Sequence, residues 1–194
     1  MRPWTLGAEA SRLANARRLR FAIVLILLAV LAWVLFSVLE REVRRVEEQS
    51  VALVLSQLRS ALVIKGAEVM LGGNDSLADY QGINPVALAT QHWRHYQGRC
   101  QGGGPDSGNW CFWARERTDS RARETGWLIY NPRQPITIDG WAEASGALRA
   151  WSVTTDFVDH NGNGRREREE RLTGLRLSPA PLPGALANVP EGNR

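Results

Sequence analysis

Residues 159–170, Asp-His-Asn-Gly-Asn-Gly-Arg-Arg-Glu-Arg-Glu-Glu, combine residue types and spacing that carry recognisable chemistry: they follow the twelve-residue pattern of an EF-hand calcium loop. The spacing has a physical reason. Oxygens of Asp159, Asn161 and Asn163 at positions 1, 3 and 5 converge on one side, and Gly164 at position 6 permits the sharp turn. Arg165 at position 7 offers its backbone carbonyl, Glu170 at position 12 can close the sphere with two oxygens, and Glu167 can act through a water. The affinity expected of such a loop is weak and extracellular in type, roughly 0.1–1 mM. Arg166 stands where an apolar residue is usual, and a strand rather than a helix leads in, so a paired EF-hand is not expected. The competing reading is an Asn-Gly-rich hairpin turn whose charges are solvated.

The two cysteines, Cys100 and Cys111, bracket a loop of Gly, Pro, Asp and Ser, which suggests a disulfide pinning the loop. In the chain-entropy account, closing so short a loop contributes about 3 kcal/mol. A metal site with His92 and His95, or a reactive thiol, is the alternative, but neither shows ligand-type spacing. No nucleophile elbow, phosphate loop or metalloprotease motif occurs, and His92, His95 and His160 are scattered. The chain is not expected to be an enzyme.

What must position these residues begins with Phe21 to Leu39, nineteen residues without a charge. As a helix they cover roughly 28 Å, close to the hydrocarbon thickness of a bilayer. A cleaved signal peptide should be shorter and end in small residues, whereas this run passes straight into Glu40-Arg41-Glu42. Arg2, Arg12, Arg17, Arg18 and Arg20 precede it, so the positive-inside rule keeps residues 1–20 in the cytoplasm and places all that follows Leu39 outside. The formal charge of +4 belongs to this leader; beyond it, acidic and basic residues cancel, which excludes a basic face for nucleic acid.

From Glu40 to residue 73 the pattern predicts a helix continuing the span, with Val43, Val46, Ser50, Leu53, Val54, Leu58, Leu62 and Val69 recurring at helical intervals. Its charged first half invites a coiled coil, yet the heptads are not sustained on this reading. The apolar second half must be buried in the rest of the chain. Asn84-Pro85 signals the start of a short helix through about Trp93. Strands are predicted at Trp110 to Ala114, Gly126 to Tyr130, Ile136 to Ile138, Leu148 to Val158 and Leu172 to Leu177. Arg115 to Glu124 reads as a solvated hairpin loop, and residues 178–194 as a disordered tail. The expected fold is α+β: a long transmembrane-to-periplasmic helix packed on a small antiparallel sheet formed within residues 74–177.

That order of parts resembles type IV pilins and the pseudopilins of type II secretion. More narrowly, Asp79-Tyr80-Gln81-Gly82-Ile83-Asn84-Pro85, His95-Tyr96-Gln97-Gly98, Gly108-Asn109-Trp110, Gly126 to Tyr130 and Asp159 to Gly164 resemble accessory biogenesis proteins of the mannose-sensitive haemagglutinin (MSHA) pilus, over most of residues 21–177. Prepilins carry Gly before the cleavage point and Glu at the fifth mature position; here Arg20 precedes Phe21 and Leu25 is fifth. The resemblance therefore implies an uncleaved, pilin-like protein of the bacterial inner membrane, with other pilus or secretion-system assembly proteins as partners. Calcium-dependent members among pseudopilins extend the implication to the Asp159 loop. The alternative from another class is a membrane-anchored periplasmic ligand-binding or sensor module, whose sheet would enclose a pocket.

Overall fold

The computed structural model describes residues 6–73, 75–89, 93–115 and 123–187, with the backbone alone for 6–17 and 187. Helix α1 covers Leu6–Gly72. The chain divides into two units at Val46 and Glu47. In the first, nearly every side chain from Leu19 to Val46 is exposed, including the whole apolar run except a half-buried Ser37. This helix is long and apolar enough to cross a membrane. Leaving so many large apolar side chains in water would cost about 1.5–3 kcal/mol each relative to burial, so a lipid solvent is the environment their types fit.

In the second unit the same helix turns amphipathic. Val51, Leu55, Leu58, Leu62 and Val69 are buried, at intervals of three, four and seven residues that line one face. They pack with residues of a five-stranded sheet: β1 (Tyr96–Arg99), β2 (Trp110–Ala114), β3 (Gly126–Tyr130), β6 (Arg149–Phe157) and β7 (Leu172–Ala180), in the order β1-β2-β3-β6-β7. Strands β4 (Ile136–Ile138) and β5 (Trp141–Glu143) form a separate hairpin. Its turn at Asp139 and Gly140, both at positive φ, is the Asp-Gly pair that a tight hairpin favours.

Alternation along the strands divides the core in two. Trp110, Leu128, Tyr130, Trp151 and Val153 join the cluster that holds α1, whereas Cys111, Ile129 and Ala150 join a second cluster with Leu186. The two periodicities, 3.6 for the helix and 2 for the strands, meet on one sheet face. Between β2 and β3 the backbones come so close at Gly126 that a Cβ would lie 2.0 Å from the Trp113 carbonyl oxygen; only glycine fits.

Several expectations need correction. The sheet is mixed: β2, β3, β6 and β7 are antiparallel neighbours, but β1 runs parallel to β2, Tyr96 opposite Trp110 and Arg99 opposite Phe112. The glycine-rich loop between them returns the chain to its starting end before β2 begins, so both strands point the same way. Asn84 does cap a helix, its side chain accepting from the Val86 N–H, but that helix is a single 3-10 turn, Pro85–Leu88, because Ala89 is already extended. The region assigned to a disordered tail is structured through Ala187: β7 pairs Ser178, Pro179 and Ala180 with Ser152, Trp151 and Ala150, and α2 (Gly184–Ala187) follows. Leu182 and Leu186 cover the second sheet face, and that burial holds the segment down. Most of the predicted hairpin loop after Arg115 lies outside the described residues.

Candidate functional site

Residues 159–170 form the connection between β6 and β7, closed at its base by Val158 N–H donating to the Arg171 carbonyl at 3.0 Å. Asp159 organises the loop. Its Oδ1 accepts from Gly162 N–H and its Oδ2 from Gly164 N–H, both at 2.7 Å. Two further short-range bonds extend the turn: Asn161 Oδ1 accepts from Asn163 N–H at 3.0 Å, and Asn163 Oδ1 from Arg165 N–H at 2.7 Å. These are Asx turns, in which a short side chain replaces a backbone acceptor. Gly164 has φ +70°, a conformation a side chain would strain.

The two glutamates close the loop from its far end. Glu167 Oε1 accepts from the side-chain amides of Asn161 at 3.0 Å and Asn163 at 3.1 Å. Glu170 is 4% exposed, a rare state for a carboxylate; its Oε1 accepts from His160 N–H at 3.1 Å and its Oε2 from Glu167 N–H at 2.9 Å. The Gly164 N–H first, and then those of Gly162, Asn163 and Asn161, hold the Asp159 carboxyl below its usual range.

Thus Asp159, Asn161, Asn163, Glu167 and Glu170 are brought onto one loop, with Gly164 at its turn. Arg165 takes part through its N–H. Among the described residues no three His, Cys, Asp or Glu side chains are gathered as a metal-holding group. The donor set nevertheless suits a hard cation in chemistry, being oxygen throughout. In this conformation the loop's own N–H groups occupy much of that oxygen capacity.

Cys100 and Cys111 are joined in a disulfide, Cα to Cα 5.0 Å. The bond ties the end of β1 to β2 and puts its sulfurs in the second core cluster, leaving no thiolate for a metal or a nucleophile. His95 Nδ1 lies 3.3 Å from Asn109 Oδ1, His160 enters through its backbone, and His92 lies outside the described residues. Gln97 of β1 bonds Asp106 of the pinned loop twice, side chain to side chain at 2.5 Å and through the Asp106 N–H at 3.2 Å.

Two polar clusters were not anticipated. Glu47 Oε1 accepts from the Tyr130 hydroxyl and the Arg133 N–H, both at 2.7 Å, and Glu48 accepts from the Thr137 N–H at 2.9 Å, so neighbouring carboxylates on α1 hold the end of β3, the segment after it and β4. Burial, then the Glu47 carboxylate, pushes the Tyr130 phenol far up. Tyr80 donates to Asp75 at 2.6 Å while Arg123 bonds Asp75 at 2.9 Å and covers the Tyr80 ring at 4.0 Å. These partners are 83 to 89 residues apart in the first cluster and 48 in the Asp75–Arg123 pair, separations at which no local spacing signals a contact.

A groove of about 700 Å³ runs between α1 and the turn after Pro85, walled by Ser60, Ala61, Ile64 and Glu68 on one side and by Leu88 and Trp93 on the other. Lys65, which also lines it, is paired with Glu68 at 3.0 Å. The chain matches no protein-family model, no curated protein and no solved structure.

Proposed function

We propose that the chain is an uncleaved, pilin-like accessory protein of the bacterial inner membrane, acting through protein–protein contacts in assembly of an MSHA-type type IV pilus or a type II secretion machine. Residues 1–20 would lie in the cytoplasm and the folded unit in the periplasm. The observation that carries this reading is the division of labour along α1: one helix supplies both an exposed apolar run of membrane length and the buried stripe Val51 to Val69 on which a sheet is built. A disulfide in the folded unit suits an oxidising compartment. Among the described residues no constellation argues for catalysis, and the reading assigns the chain no reaction.

The Asp159 loop is proposed as a weak calcium site, held by Asp159, Asn161, Asn163, the Arg165 carbonyl and Glu170, with Glu167 behind. Calcium there would supply rigidity to the β6–β7 connection. An anchored ligand-binding module would want a pocket enclosed by the sheet. The groove lies instead along α1, and its lysine is already paired, so the accessory reading is preferred.

Deleting the chain is expected to abolish fibre assembly or secretion. Restoration by the full chain, and failure of a version lacking residues 21–39, would agree with the proposal. Full assembly without the chain would overturn it.

A further inference from the structure

Asn-Gly pairs occur at two places in the chain, Asn161-Gly162 and Asn163-Gly164, and both lie in the loop between β6 and β7. All four residues are exposed. In any such pair the glycine nitrogen can attack the asparagine Cγ and close a five-membered ring, because the covalent chain itself keeps the two atoms near each other. Glycine adds no side chain to block the approach. Gly162 and Gly164 stand at φ +71° and +70°, and a Cβ on either would meet nothing within 4 Å, so both nitrogens face open space.

We propose that Asn163 is a self-modifying position, deamidated by its own loop through a cyclic imide with Gly164. Each atom that the reaction changes already has a partner suited to the change. The Gly164 N–H, whose proton must leave, donates to Asp159 Oδ2 at 2.7 Å. Asn163 Oδ1, which gathers negative charge during the attack, accepts from the Arg165 N–H at 2.7 Å. Nδ2, the leaving group, is oriented by Glu167 Oε1 at 3.1 Å. The bond from the Gly164 nitrogen to Cγ forms and the Cγ–Nδ2 bond breaks. The Gly164 proton passes to Asp159 and on through water to Nδ2, which departs as ammonia. Water then opens the imide at either carbonyl, giving aspartate or its β-linked isomer. One amide and one water become one carboxylate and one ammonium, with no change of oxidation state.

Asn161 is arranged alike, with the Gly162 N–H on Asp159 Oδ1 at 2.7 Å, but the donor to its carbonyl, the Asn163 N–H, is farther away at 3.0 Å, so Asn163 leads. The product alters the loop. Asn161 and Asn163 now both donate to Glu167 Oε1; a carboxylate at 163 removes one of these donors and sets two like charges side by side. The oxygens of Asp159, Glu167 and the new acid then lie together without an amide between them. On the calcium reading above, on which this consequence alone rests, the modified loop offers the ion one more charged ligand and binds it more tightly.

The test is incubation of the detergent-solubilised full chain at neutral pH in chelator, with peptide mapping and fragment-ion mass spectrometry to assign each amide-to-acid mass gain to a residue. Asn163 should convert about tenfold faster in the folded chain than in the same chain held in urea, the low side of what a positioned base contributes. Asp159→Asn should remove that advantage, and Asn163→Gln should abolish the gain at 163. A folded rate equal to or below the denatured one, a rate indifferent to Asp159→Asn, or a gain confined to Asn109 or Asn131 would overturn the proposal. The folded-against-denatured comparison needs no variant, so it decides the matter whatever a substitution does to the loop. Calcium titration of Asn163→Asp beside the native chain reads the consequence separately: a response in neither refutes the calcium site, while the mass gain alone decides the modification.

Discussion

Removing the Glu170 carboxylate should loosen the β6–β7 connection and abolish its response to calcium. Glu170→Ala takes away the acceptor for two backbone N–H groups, those of His160 and Glu167. An orphaned buried donor costs about 1–3 kcal/mol, and since water reaches this exposed loop the lower end applies, about 2 kcal/mol in all. For a folded unit of this size that lowers Tm by about 4–8 °C. Glu170→Gln keeps one acceptor and should lose about half as much. Calcium supplies the second arm: at 10 mM ion and a Kd of roughly 0.1–1 mM, binding to the folded state adds about 1.4–2.7 kcal/mol, or about 3–11 °C, in the unaltered chain only. Scanning calorimetry of the detergent-solubilised full chain, with calcium, magnesium or chelator, measures both arms. An unaltered Tm for Glu170→Ala in chelator refutes the hydrogen-bond reasoning. A calcium-induced rise that is absent from the native chain, or equal in Glu170→Ala, refutes the calcium site.

Three further outcomes follow from the packing and the charges. Leu58→Ala, at a position with no exposure, should destabilise the folded unit by about 2–5 kcal/mol in denaturant unfolding, and a loss under 1 kcal/mol would mean that α1 is not core. Replacing Cys100 and Cys111 together by Ser should cost about 3 kcal/mol, read by the same titration, and free-thiol counting of the native protein in denaturant should find none. The Asp159 carboxyl is depressed in the folded state, so its contribution is complete above the ordinary value near 4 and is lost as pH falls through the lower folded value. NMR titration should therefore place Asp159 below that value, and the stability difference between Asp159→Asn and the native chain, present at pH 6, should shrink as pH falls through the lowered folded value; a normal titration would contradict the loop geometry.

How much of this was legible in the sequence depends on how local each determinant is. The buried stripe of α1 and strands β2, β3, β4 and β6 were readable because period and burial coincide within each segment. Strand β1, Tyr-Gln-Gly-Arg, has no apolar alternation and exists by pairing with β2, so nothing local announced it. The Asn84 cap was visible as chemistry, but where its helix stops is set by what the chain packs on next. Pro179 misled: as an edge-strand residue it needs no ladder hydrogen bond on its outer side, so β7 runs on to Ala180. The Asp159 loop was legible in its spacing. The engagement of its oxygens by its own N–H groups was not, because that depends on the backbone conformation of the whole loop. The Glu47 contacts with Tyr130 and Arg133 join distant segments, and only the fold reveals them.

The measurement that bears most directly on a membrane-held chain with a folded unit built on the same helix is alkaline extraction of membranes combined with intact-mass determination of the recovered protein. The account requires a mass that includes residues 21–39, resistance to carbonate, and release by detergent alone. A mature chain beginning beyond Leu39 and recovered in buffer without detergent would contradict it.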